Sequence, residues 1–152
     1  MAEGSDLLKA LSKAVGVESP AAAYDIEMGH IKRFAEAIGD SNPLFTNDVQ
    51  ARRTSFGGIV APPTFLRTCG SQPPPLDNYA AVPYKRILDG GSDWDYFDPV
   101  RPGDRITVTS RYSNFAERPG RLGPMLFVSS ETTYKNQFGQ VVAVQKSTRI
   151  MY

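Results

Sequence analysis

Apolar residues recur three and four apart in two early stretches, and alternate with polar ones in the later part of the chain. In "SDLLKALSKAVG", Leu7, Leu8, Leu11 and Val15 share a helical face between Ser5, a helix-starting residue, and Gly16. This predicts a helix over about 5–15. "AAAYDIEM" reads as extended. In "GHIKRFAEAIG", Ile31, Phe34, Ala35 and Ile38 form a second stripe, closed by Gly39. "GDSNPLF" then reads as a rigid polar turn. Prolines suit the first turn of a helix, so Pro62-Pro63 predict a third helix over about 62–70, with Phe65 and Leu66 buried.

"SQPPPLDNYAAVPYK" reads as a surface loop. From there the period becomes two. Trp94 and Tyr96 alternate with aspartates in a strand around Ser92–Phe97, and Ile106, Val108 and Ser110 alternate in another. "PMLFVSSETTYKN" and "VVAVQKSTRIMY" are strands joined by the hairpin loop "NQFGQ", while "RPGD" and "PGRLG" are turns. Early helices followed by long strands predict an α+β domain, one sheet packed on a helix.

Composition narrows the function classes. A chain of 152 residues, 41% hydrophobic, fits one domain over 1–152, with 1–20 as an N-terminal helical extension. The net charge of +1 gives no electrostatic case for nucleic acid or an anionic membrane surface. No apolar run reaches the length of a membrane span, and the N-terminus lacks the features of a signal peptide. A single cysteine, Cys69, excludes an internal disulfide and a cysteine metal site. A single histidine, His30, excludes a multi-histidine site. These features place the chain in a reducing cytoplasm.

The order of "IKRFAEAIGD", "GDSNPLF", "GGIVAPPTF", "DPVRPGDRITVTS" and "LFVSSETTYKNQFGQVVAVQKSTRIMY" resembles the MaoC-like branch of the hot-dog fold over nearly the whole chain. The resemblance implies a long antiparallel sheet wrapped around a central helix, working as a dimer or double hot dog. Active members are hydro-lyases. They hydrate trans-2-enoyl thioesters or dehydrate (R)-3-hydroxyacyl thioesters carried on CoA or acyl carrier protein. No cofactor is implied beyond acyl-CoA as the ligand. The chain ends directly after its last strand, so a second unit is expected from another chain, identical or catalytic.

Hydration of an enoyl thioester needs a base that holds water, a proton for the α-carbon, and donors aimed at the enolate oxygen. The family pattern for the first two is Gly-Asp-x-Asn-Pro-apolar-His. Gly39, Asp40, Asn42, Pro43 and Leu44 match it, but Phe45 stands at the histidine position. The family's His-Gly pair at the central helix is replaced by Pro62-Pro63, and proline has no backbone N–H. His30 lies ten residues before Asp40. This double loss is similar to the non-catalytic partner subunits of heteromeric MaoC-type hydratases, which shape the acyl tunnel.

Two readings stand at each position. Asp40 is either a catalytic base or, with Asn42, a turn former bonding its own backbone. Phe45, Gly57, Gly58, Ile59, Pro62, Pro63 and Trp94 are the candidates for substrate contact, against ordinary packing and turn roles. Lys85, Arg86, Arg118 and Arg121 are candidates for the CoA phosphates, against solvated surface charge. At the level of function, a partner subunit is set against a self-sufficient homodimeric hydratase using Asp40. A hot-dog thioesterase or acyl-thioester binding protein is the third possibility, and "PPTFLRTCG" offers it no carboxylate.

Overall fold

A computed structural model describes residues 2–76, 82–121 and 123–152. The elements run α1 (Ala2–Ser12), β1 (Ala22–Asp25), α2 (Met28–Ala37), α3 (Pro43–Thr46), α4 (Asp48–Ala51), a central 3-10 helix (Pro63–Thr68), β2 (Ile87–Tyr96), β3 (Arg105–Gly120), β4 (Gly123–Lys135) and β5 (Val141–Met151). The five strands form one sheet in the order β1-β3-β4-β5-β2, and every neighbouring pair is antiparallel. The sheet and the helix on it are the architecture that the hot-dog resemblance implies.

The period-two pattern sets the two faces. Ile106, Val108, Ser110 and Tyr112 of β3 are buried, whereas on the alternate positions Arg105 and Arg111 are exposed and Thr107 and Thr109 half-buried. Their inner-face partners continue across the sheet, Val108 opposite Tyr134 and Tyr134 opposite Ala143. At about 3.3 Å per residue, the 16 residues of β3 extend about 50 Å. No single short helix covers that length.

Two apolar clusters cover the inner face instead. At one end Ile31, Phe65 and Leu66 pack on Ile106, Val108 and Tyr134. Phe34 meets Phe65 edge-on at 5.5 Å. At the other end Leu11 of α1, with Leu7 and Leu8, packs with Tyr112, Leu126, Val128 and Met151.

Several predicted boundaries shift. The first helix ends at Ser12, and Val15 leaves it to form a bridge with Tyr112. The third helix is a 3-10 segment confined to Pro63–Thr68. Pro62 and Pro63 supply no N–H at its start, and Gly70 and the prolines from Pro73 give no continuation at its end. β2 begins at Ile87 because a bulge between Asp89 and Ser92 absorbs Gly90 and Gly91. A side chain at Gly90 would meet the Thr148 carbonyl oxygen at 2.8 Å, and Gly91 has φ 105, so glycine is required at this kink. Pro119 and Gly120 pair within the β3–β4 ladder, so the reversal there is tighter than the predicted "PGRLG" turn. Part of the predicted loop after Gly70, residues 77–81, lies outside the described residues, as does Leu122.

Candidate functional site

The helix α2 stops at Ile38, and Gly39 follows with φ 71, a conformation that favours glycine. The Asp40 N–H then donates to the Ala35 carbonyl at 2.9 Å. The Asp40 carboxylate accepts from the Asn42 N–H at 3.0 Å, and the Asn42 side chain accepts from the Leu44 N–H at 3.0 Å. Asn42 thereby caps α3, whose first residue is Pro43. This winding drives Phe45 inward, where it is buried against Ala35 and Val60.

The next segment is held from both sides. The Ala61 N–H donates to Val100 at 2.8 Å, and the Val60 N–H to Leu44 at 3.4 Å. The Arg101 guanidinium donates to the Phe56 carbonyl at 2.7 Å and fixes the loop that carries that ring. The result is a cavity of about 390 Å³ at the start of the central helix, walled mainly by Phe45, Phe56, Val60, Pro62, Pro63 and Phe97. Asp98 and Tyr96 bring its ionisable groups. The Tyr96 hydroxyl donates to the Pro63 carbonyl at 3.0 Å, and burial pushes its phenol upward.

Of the sequence candidates, Phe45, Pro62 and Pro63 meet in this cavity. Ile59 is buried in the main core. Gly57 has φ 70 and is exposed, and Gly58 is half-buried beside it. Trp94 stacks on Tyr96 at 5.7 Å and on Tyr134 at 5.5 Å, bracing the edge strand on the core. Asp40 and Asn42 frame the turn behind Phe45. His30 is exposed and faces Glu27 at 3.7 Å.

The basic candidates lie at the opposite end of the strands. Arg86 pairs through its backbone with Tyr152 and sits over that ring at 6.0 Å. Arg118 lies over Phe127 at 4.9 Å near the β3–β4 reversal, and Lys85 and Arg121 are exposed nearby in sequence. From Ala143, beside Tyr96, to Met151, beside Ile87, is eight residues of β5, about 26 Å. The structure therefore does not bring these cations to the Asp40 turn within the protomer. Sequence reasoning missed Val60, Phe97 and Asp98 as wall residues. They come from segments whose approach to Phe45 depends on the Ala61–Val100 bond.

A second cavity, of about 350 Å³, opens past the end of the central helix. Arg67, Ser130, Thr132, Gln145, Ser147 and Arg149 contribute to its lining, so its character is polar where the first is apolar. Among the described residues no group of three His, Cys, Asp or Glu side chains converges as a metal site, and no helix is long and apolar enough to cross a membrane.

The family described as FAS1-like, dehydratase domain region, matches residues 13–145. The chain belongs to this family. Among its relatives is a UPF0336 protein of Streptomyces avermitilis, 34% identical over 108 residues, which cover 66% of this chain and 69% of the relative. A 3-oxo-4,17-pregnadiene-20-carboxyl-CoA hydratase alpha subunit of Mycobacterium tuberculosis is 27% identical over 148 residues. That match covers 88% of this chain but 46% of the subunit, so the chain spans about half of that relative's length. A probable enoyl-CoA hydratase alpha subunit of Thermomonospora curvata is 26% identical, with 94% of this chain and 51% of the subunit covered.

Among solved structures, a chain of the ChsH1–ChsH2 complex from Mycobacterium tuberculosis superposes with TM-score 0.85 at 20% identity, covering 98% of this chain and 92% of that one. The MaoC-like dehydratase from Rhodospirillum rubrum superposes with TM-score 0.69 at 26% identity, covering 91% and 92%. The fold is therefore the MaoC-type hot dog.

Proposed function

We propose that this chain is the non-catalytic, acyl-binding subunit of a MaoC-type enoyl-CoA hydratase or (R)-3-hydroxyacyl-thioester dehydratase. It pairs with a second hot-dog chain that carries the Asp and His. The observation that carries this reading is Phe45. It occupies the place of the water-holding histidine and closes an apolar cavity at the head of the central helix. A phenyl ring neither accepts a proton nor binds water, and the two prolines beside it withhold the N–H donors that an enolate oxygen needs.

The alpha-subunit names of two relatives support a role beside another chain. So does the sheet edge. Ile87 and Leu88 of β2 are 53% and 51% exposed, and Phe97 just beyond it is 64% exposed. A ten-residue edge strand with such side chains is a pairing surface in want of a partner strand. In this arrangement Phe45, Pro62 and Pro63 line the acyl path, and Asp40 with Asn42 holds the turn.

A second reading is favoured by Asp98, whose carboxylate lines the same cavity as Tyr96. Here the chain is a homodimeric hydratase in its own right, with Asp40 or Asp98 handling the water.

Co-expression tests the first reading. The chain is produced together with a MaoC-type chain that carries Gly-Asp-x-Asn-Pro-apolar-His. A stable complex that hydrates crotonyl-CoA is expected. Failure of the two chains to co-purify overturns the pairing.

A further inference from the structure

The inner face of a sheet wrapped on a helix is ordinarily apolar, and at both ends this one is. Between the two apolar clusters it is not. Ser110 stands opposite Thr132 and Thr132 opposite Gln145. One step along, Tyr112 stands opposite Ser130, Ser130 opposite Ser147, and Ser147 opposite Ser92. Two adjacent rows of hydroxyl and amide groups therefore cross the sheet as a belt. The central helix stops at Thr68. Ser110 is buried and bonded to Ser19 and Ser71, whereas Thr132, Ser130, Ser147 and Gln145 line a cavity of about 350 Å³.

The belt is only partly satisfied from within. Ser110 and Thr132 share a hydrogen bond at 2.6 Å, and Ser130 and Ser147 share one at 2.9 Å. Each such pair uses one hydroxyl proton, so the Ser130–Ser147 pair keeps a second proton for a ligand. The Gln145 carbonyl accepts from Tyr134 at 3.4 Å, and its amide donors have no partner among the described residues. Arg67 and Arg149, at the cavity's edge, form no ion pair among the described residues, and Asp89 is the lining carboxylate beside them. A hydrocarbon chain laid here would desolvate these groups and return no hydrogen bonds. A ligand of about ten non-hydrogen atoms has the right size, at about 30 Å³ for each water displaced.

We propose that this cavity receives an oxygenated segment of the acyl group. On the acyl-thioester reading above, on which this rests, the ligand class is then a hydroxylated or carboxylated acyl thioester instead of a plain fatty acyl one. The geometry fits an acyl chain that runs from the apolar cavity to the polar one. Tyr96 lines the apolar cavity and Ser92 the polar one, and the four residue steps of β2 from one to the other span about 13 Å. The apolar pocket would hold a hydrocarbon stretch of the acyl group, and the belt would read the oxygens beyond it.

The test is calorimetric titration of the full chain with CoA, dodecanoyl-CoA, and the ω-hydroxy and ω-carboxy analogues of dodecanoyl-CoA. Both ω-oxygenated ligands are expected to bind about ten-fold more tightly than dodecanoyl-CoA, from one or two added hydrogen bonds. Combined Ser130→Val and Ser147→Val should reverse that order. Arg149→Gln, at an exposed position that leaves folding intact, should weaken only the ω-carboxy ligand. Dodecanoyl-CoA binding as tightly as its oxygenated analogues overturns the proposal while leaving the acyl-thioester reading standing. If no acyl-CoA binds more tightly than CoA itself, both fall.

Discussion

The Tyr96 hydroxyl donates to the Pro63 carbonyl oxygen at 3.0 Å, tying the last residue of the edge strand to the first of the central helix. This bond bridges the two elements that wall the apolar cavity. Tyr96→Phe keeps the stack on Trp94 and removes the bond alone. The expected loss is about 0.5–1.5 kcal/mol in denaturant unfolding. No measurable loss would mean that the ring, not the hydroxyl, holds the contact.

Asn42 is the joint of the turn, accepting from the Leu44 N–H while its own N–H bonds Asp40. Asn42→Ala should cost about 1 kcal/mol through the lost cap. It should also loosen the placement of Phe45, read as faster amide exchange at Leu44 and Phe45. Unchanged exchange at both residues contradicts a framing role for the turn.

Ile106 is fully buried at the centre of the main cluster, whereas Phe138 in the β4–β5 turn is 77% exposed. Ile106→Ala should cost about 2–5 kcal/mol. Phe138→Ala should stay within about 0.5 kcal/mol. Chemical unfolding of the two variants side by side checks the orientation of the sheet.

Much of this was legible in the chain. Alternation in Ile106, Val108 and Ser110, and the stripe of Ile31, Phe34 and Ala35, gave correct elements because local period reports which face is buried. The Asp40–Asn42 turn was equally plain, since its bonds are local. What depended on distant contacts was not readable. Val60, Phe97 and Asp98 join Phe45 only through tertiary packing. Serines and threonines in "VSSETTY" read as ordinary strand positions. Their grouping as a belt needs the strand register and the early end of the central helix, and neither is encoded locally.

Tyr84 donates a short hydrogen bond to the Glu117 carboxylate, and burial together with that partner pushes its phenol up to about 12 from an ordinary 10.0. The folded state therefore favours the neutral phenol. The stabilisation is complete below about pH 10 and is lost as pH rises toward 12. The difference in thermal midpoint between the parent chain and Tyr84→Phe should be constant up to pH 9 and shrink between 10 and 12. A difference that does not change over that interval contradicts the pairing.

On the proposed reading, Phe45 and the two prolines leave this chain without a hydratase centre of its own. Crotonyl-CoA hydration by the purified chain alone, followed by loss of enoyl absorbance, decides it. No turnover above the uncatalysed rate is expected, and no change with Asp40→Asn or Asp98→Asn. Robust turnover by the chain alone, abolished by either substitution, would contradict it.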